Sequence, residues 1–427
     1  MKIPENNPTQ HSGKDQKQID KCLITFNVFE AYDRRFCQAM LEMPLLKPWI
    51  DSDRAVIIQK VRQCLRIEDR LIPKIMAEPA RTIRKDGYSV NLLQATSWPG
   101  VKCAANLYCP DRPTGRFPLV LLCCGHGADG KLNPGYQAMA IRLARQGAMV
   151  LVPDNIGQGE RIPMGHKEPV IPFACGLSIQ GLIVMETMAW LRWAMADRRV
   201  DADRLGAIGN SGGGTLTLFL AALCPELAVL SSSGYPSSFA YIARKEKKHC
   251  HCNLLPGIVG QIEMWQILGL FAPKPLFIFQ GSNDHLFPED LFFKITRQLK
   301  TVYASFNADQ QLRWASIEGP HSWFVEKRHQ LANFLAETLQ LDPPELLRDD
   351  LTDCLATSAT CYPQWPENAL NLDDLAVQLT GIKPNKDITL WDVFPPDVTL
   401  PADQFTGLRG DYRQIFAQYE AFLPART

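Results

Sequence analysis

The sequence predicts an α/β fold built on a mostly parallel, doubly wound sheet. Three observations carry that expectation. Dense apolar runs at 118–124 and 148–153 have the composition of strands buried on both faces, and further strands are expected at 228–233, 275–280 and 312–317. Helical periodicity fills the intervals, near 136–146, 177–196, 257–270, 289–300 and 323–339. The stretch 205–223, LGAIGNSGGGTLTLFLAAL, joins a short apolar strand to an apolar helix through a turn of glycines holding one hydroxyl, Ser211.

Taken in order, residues 1–19 are polar, lack periodicity and read as disordered. Residues 20–83 read as a helical segment. Phe26, Phe29, Tyr32, Phe36, Met40 and Met43 recur at helical spacing, and Val56, Ile57, Val61, Leu65, Ile67 and Leu71 form a second set after Trp49. These helices either pack on the neighbouring domain or serve as a lid or dimer contact. From about 85 the period drops to two, giving antiparallel strands at 88–93 and 102–108 joined through Pro99-Gly100. With the elbow strand at 205 the count reaches eight, antiparallel first and parallel after, an order that a doubly wound sheet with helices on both faces accommodates. The catalytic domain is expected over 84–341. Beyond it, 342–427 is a Pro-rich extension, with Pro343-Pro344, Pro363, Pro366, Pro384, Pro395-Pro396 and Pro401 between apolar pieces that include Trp365 and Trp391. It is too apolar for a free linker and is expected to wrap over the core or a neighbouring subunit, ending in a helix near 412–422. No internal repeat is visible.

A chain of 427 residues suits a large α/β core with additions at its ends. The formal net charge of +0 gives no footprint for nucleic acid or an anionic membrane, and no apolar run has the length of a membrane span. The polar start lacks the apolar core of a signal peptide, and the 13 scattered cysteines point to reduced thiols and a cytoplasmic setting. A small-molecule substrate is the expected partner, with the terminal extensions as candidate dimer contacts.

Gly209-Asn210-Ser211-Gly212-Gly213 has the G-x-S-x-G spacing of a nucleophile elbow, in which flanking residues must lack Cβ atoms for so sharp a turn to form. A serine nucleophile needs a base, and the base an orienting acid, in the chain order Ser, Asp or Glu, His. Asp284 follows the strand at 275–280, at the sheet edge where ligands bind, and His321 follows the last strand. Glu289 and Asp290 are substitute acids, and His285 and His329 rival bases. The helix opening at Gly212 points N–H groups at the reacting centre. A second oxyanion donor would come from the glycine-rich loop CGHGADGK, either His126 or Gly127, with His126 also weighed as a second base. Asn210, Glu160 and Arg161 border the site as candidate substrate-binding residues; Glu160 and Arg161 could equally brace their loop.

His249-Cys250-His251-Cys252 groups four metal-ligand types, but adjacent side chains alternate in direction and no second half of a site is visible, so no metal is expected. No organic cofactor is required either.

The runs GNSGGGT, CGHGADGK, PDNIGQGER and CNLLPG, followed by APKPLFIFQGSNDHLFP, resemble acetyl xylan esterase-like α/β-hydrolases, a group joined with dienelactone hydrolase-like proteins. The resemblance covers about 84–339, with a weaker echo at 353–360. It implies the α/β-hydrolase fold and a serine esterase with Ser211, Asp284 and His321 as triad, acting on small acyl groups carried by carbohydrate-like alcohols. The chain departs from the GxSQGG and HE signatures of one branch, since Gly212 follows Ser211 and Ser322 follows His321. The competing readings are an acyltransferase or cyclase, an amide or C–C hydrolase on the same triad, and a non-catalytic protein that kept the fold.

Overall fold

The computed structural model describes residues 51–393 apart from 113–114, 167–168, 245–249, 260 and 344–349. The stretch expected to be disordered, the first set of helical residues, His249 and the helix expected near 412–422 lie outside the described residues.

One sheet runs through the molecule, in the order β1-β2-β3-β5-β4-β6-β7-β8-β9. The strands are β1 Met76–Lys85, β2 Tyr88–Thr96, β3 Lys102–Pro110, β4 Phe117–Cys123, β5 Met149–Pro153, β6 Val200–Asn210, β7 Val229–Ser233, β8 Leu276–Gly281 and β9 Leu312–Ile317. The pairs β1–β2, β2–β3 and β3–β5 are antiparallel, and every pair from β5 to β9 is parallel. The parallel strands therefore end on a common edge.

The ninth strand is β1, which falls where the sequence reads as helix. The cause is its position. It is an edge strand, exposed or half-exposed throughout, and it is bulged at Pro79, so it never shows the apolar alternation of a half-buried strand. Among the described residues of the expected helical segment, the α-helix is α1 Asp51–Cys64, which buries Ile57 and Val61.

The central strands show why a continuous apolar run is needed. Along β4, Leu119, Leu121 and Cys123 enter one core while Val120 and Leu122, followed by Cys124, enter the other. The first core is covered by α1 and by α3 Ile179–Met195, α4 Gly212–Leu223, α5 Met264–Gly269 and α6 Glu289–Ser305. The second is covered by α2 Pro134–Arg145 and α7 Val325–Leu339. α5 is shorter than the helix expected over 257–270, because a Glu263–Gln266 capping box starts it only at Met264.

The described part of the Pro-rich extension packs on its own chain. Cys361 is buried in the second core, while α8 Leu372–Thr380 sets Leu372, Leu375 and Ala376 into the first. Tyr362 Oη donates toward the carbonyls of Ala95 and Cys103 at 3.0 and 3.2 Å, and Leu370 N–H donates to Gly100 O at 3.0 Å. No described helix is long and apolar enough to cross a membrane.

Candidate active site

Ser211 stands between the end of β6 and the start of α4 with φ 58° and ψ −122°, a conformation that costs free energy in a residue bearing a Cβ. The two outer glycines allow it. A Cβ on Gly209 would lie 2.2 Å from Gly213 O, and one on Gly213 would lie 1.9 Å from Cys123 O, both against backbone that cannot yield. Ser211 N–H donates to Ser233 O at 2.9 Å, pinning the elbow to the end of β7.

Asp284 and His321, 37 residues apart, meet beyond the ends of β8 and β9. His321 Nδ1 lies 2.7 Å from Asp284 Oδ2. The other carboxylate oxygen accepts from Leu286 N–H at 2.9 Å and Phe287 N–H at 3.2 Å. Burial pushes the Asp284 carboxyl up, but the hydrogen bond and charge of His321 and the two backbone donors outweigh it, leaving the group below the usual carboxylate range. A permanent carboxylate fixes the tautomer: Nδ1 carries the proton and Nε2 the lone pair. That Nε2 is buried without a hydrogen-bond partner among the described residues. The rival acids are placed elsewhere, Glu289 accepting from Ser316 Oγ and Asp290 exposed at the start of α6. Of the rival bases, the exposed His285 stacks edge-on to His321 at 6.2 Å, and His329 lies within α7.

Asn210 departs from the substrate-binding role considered for it. It is buried, its Oδ1 accepts from Ser233 Oγ at 2.9 Å, and its Nδ2 donates to His321 O at 3.2 Å, so it braces the histidine loop against the elbow. Lys327, which the sequence did not single out, holds the same loop through Nζ donations to Pro320 O (2.6 Å) and Ser322 O (3.2 Å). Burial brings its ammonium down to about 8, against the opposing pull of Asp284.

The glycine-rich loop after β4 lies against the elbow. Gly127 N–H is engaged by Gln158 Oε1 at 2.8 Å, and Gly125 N–H by Tyr136 Oη at 2.8 Å. His126 N lies 3.5 Å from where a Cβ on Gly212 would stand.

Glu160 and Arg161 also differ from the substrate-binding expectation, and the bracing alternative describes them. Glu160 receives Lys131 Nζ together with the N–H groups of Cys361 (2.8 Å) and Tyr362 (2.9 Å). Arg161 is fully buried, donating to Asp154 O at 3.0 Å and forking onto Glu186 of α3. Lys131, equally buried, pairs with Asp154 at 2.6 Å. Both polar side chains are thus closed off by partners distant in sequence.

The cysteine–histidine segment contradicts the reading that no second half of a metal site exists. Cys250 and Cys252 face the same way and meet His126 and His166, whose loops follow β4 and β5. All four ligand atoms lie within 4.8 Å of one another. His251, between the cysteines, turns instead toward Phe173 and Pro169 O. The alternation holds, but the partners lie 84 or more residues away, beyond any local spacing.

The family model described as acetyl xylan esterase (AXE1) matches residues 83–250, which include Ser211 and the glycine-rich loop. The core of this chain is acetyl xylan esterase-like. Over that stretch the chain is similar to esterases and hydrolases. The putative hydrolase YtaP of Bacillus subtilis (strain 168) is 25% identical over 256 residues, covering 56% of this chain and 84% of that one. Among solved structures, Methylesterase BT1017 superposes with a TM-score of 0.63 at 23% identity, over 76% of this chain and 73% of the other. A glucuronoyl esterase from Solibacter usitatus gives 0.54 at 14% identity, over 68% and 93%. A putative acetyl xylan esterase from Bacteroides fragilis NCTC 9343 gives 0.52 at 13% identity, over 62% and 74%. At these identities the superpositions establish the α/β-hydrolase fold.

Proposed function

We propose that the chain is a serine esterase that works through an acyl-enzyme. Ser211 Oγ attacks the ester carbonyl while His321 Nε2 takes its proton, and Asp284 holds the imidazole and stabilises the imidazolium. His321 then gives the proton to the departing alcohol, and water activated by the same nitrogen releases the acid. The oxyanion is received by the N–H of Gly212 and that of His126; Gly127 is the weaker candidate because its N–H already serves Gln158. The observation that carries this reading is the Asp284–His321 pair at 2.7 Å, whose loop is tied to the strained serine elbow by the Asn210 Nδ2 donation to His321 O at 3.2 Å. A small acyl group, acetyl foremost, on a carbohydrate-like alcohol is the substrate class, supported by the acetyl xylan esterase match.

The test is a panel of acetyl, butyryl and longer p-nitrophenyl esters, acetylated sugars, uronic acid methyl esters and aminoacyl amides, run on wild type, Ser211→Ala and His321→Ala. Acetyl esters should be turned over fastest, and both variants should lose activity by roughly 10³-fold or more. Undiminished turnover in Ser211→Ala, or hydrolysis confined to amides, contradicts the reading. Product analysis with an added alcohol or amine acceptor separates hydrolysis from acyl transfer.

A further inference from the structure

We infer that His126, His166, Cys250 and Cys252 form a zinc site that ties three loops together beside the elbow. The donor set is two imidazoles and two thiols, the soft N₂S₂ combination that Zn²⁺ takes in four-coordinate structural sites. The spacing fits. A tetrahedral zinc with Zn–N near 2.0–2.1 Å and Zn–S near 2.3 Å needs its ligand atoms about 3.3–3.8 Å apart. Here all four lie within 4.8 Å of each other, with Cys252 Sγ 3.2 Å from His126 Nε2 and the two histidine Nε2 atoms 3.0 Å apart. Convergence alone would be weaker than what the second nitrogen of His166 adds. His166 is buried, and its Nδ1 lies 2.8 Å from Ile156 O, an atom that can only accept. Neutral His166 must therefore carry its proton on Nδ1, which leaves the Nε2 lone pair directed into the cluster. A backbone carbonyl fixing the outer nitrogen is the arrangement that metal-bound histidines use.

The chain topology explains what the ion would do. His126 comes from the loop after β4, His166 from the segment after β5, and Cys250 and Cys252 from the crossover after β7. One ion would cross-link these connecting segments in a chain whose described cysteines are free thiols. Four protein ligands fill the coordination sphere, so the site is structural and leaves no position for a metal-activated water. The consequence for the elbow follows from the His126 ring, which spans the two sites: Nε2 faces the cluster, while Nδ1 lies 2.7 Å from where a Cβ on Gly212 would stand. Holding that ring fixes the backbone of the loop proposed to supply the second oxyanion donor. This positioning role rests on the esterase reading, whereas metal binding does not.

The test uses the full chain, purified under reducing conditions without added metal. Zinc is measured by elemental mass spectrometry and by release to a chromogenic chelator on thiol modification. Cobalt(II) is then loaded into the zinc-free protein. One zinc per chain and a thiolate-to-cobalt charge-transfer band with tetrahedral d–d bands are expected. Cys252→Ser and His166→Ala should each weaken metal binding at least tenfold and shift or abolish those bands. The Ser211→Ala chain should hold zinc like wild type while losing esterase activity, so the metal site and the catalytic reading fail separately. Wild type that purifies without stoichiometric zinc and gives no cobalt bands would overturn the proposal. So would metal content unaffected by either substitution, or a Cys250–Cys252 disulfide in the reduced preparation. The cobalt spectrum of wild type keeps the test decisive even if a variant folds poorly.

Discussion

Asp284 carries two separable consequences. Its carboxylate orients His321, so Asp284→Asn should lower kcat by roughly 10³–10⁴-fold with KM near wild type, because the neutral amide permits the wrong tautomer. Its pKa is lowered from the ordinary 3.8, so as the pH falls the unfolded chain takes up the proton before the folded one. The stability held by the ionised group is complete above 3.8 and is lost as the pH falls through the folded value. Chemical denaturation at a series of pH values between about 5 and 3 should show that slope, and Asp284→Asn should flatten it. Lys327 is a positioning residue. Lys327→Met removes a charged donor to two carbonyls of the histidine loop, and should lower stability by about 1–3 kcal/mol in denaturant melts while reducing kcat more than it changes KM. Asp284 and His321 stand out in the sequence as candidates because each lies just past the end of an expected strand of the sheet. The sequence conceals the roles of Glu160, Arg161 and Asn210, because a polar residue beside a site looks the same whether its partner is substrate or a distant side chain. Lys131, Glu186 and Cys361, which decide the matter for the loop pair, lie 25 to 201 residues away.

At the scale of elements, the elbow is the junction where local chemistry is strictest. Gly213→Ala places a Cβ 1.9 Å from the Cys123 carbonyl, so β4 and α4 cannot both keep their positions. A loss of at least about 3 kcal/mol is expected, read as a lowered melting temperature or as insoluble expression. Strands β4, β5 and β8 are legible since burial on both faces favours a near-continuous apolar run, whereas β1 is not, being an exposed edge held by backbone pairing to β2. The same logic separates the two halves of the cysteine–histidine cluster. Cys250 and Cys252 announce themselves by alternation, but His166 sits alone in a loop and gains meaning only once β4 and β5 lie side by side.

Across the whole molecule, the described part of the extension after α7 belongs to the folded unit. It buries Cys361, Leu372, Leu375 and Ala376 and supplies two of the N–H donors that satisfy Glu160. Ending the chain at residue 341 uncovers that apolar surface, each buried leucine contributing about 1.5–3 kcal/mol, and leaves Glu160 short of partners beside the glycine-rich loop. A chain cut there should melt at a lower temperature, aggregate more readily and lose esterase activity even with Ser211, Asp284 and His321 intact. The convergence of those three residues on one rim of the sheet remains the central claim. Its most direct measurement is the intact mass and peptide map of the His321→Ala chain after exposure to p-nitrophenyl acetate, beside the Ser211→Ala chain. One acetyl group trapped on the peptide containing Ser211, and absent from Ser211→Ala, is the expected result. Acetyl on a cysteine instead, or equal labelling of both variants, would contradict it.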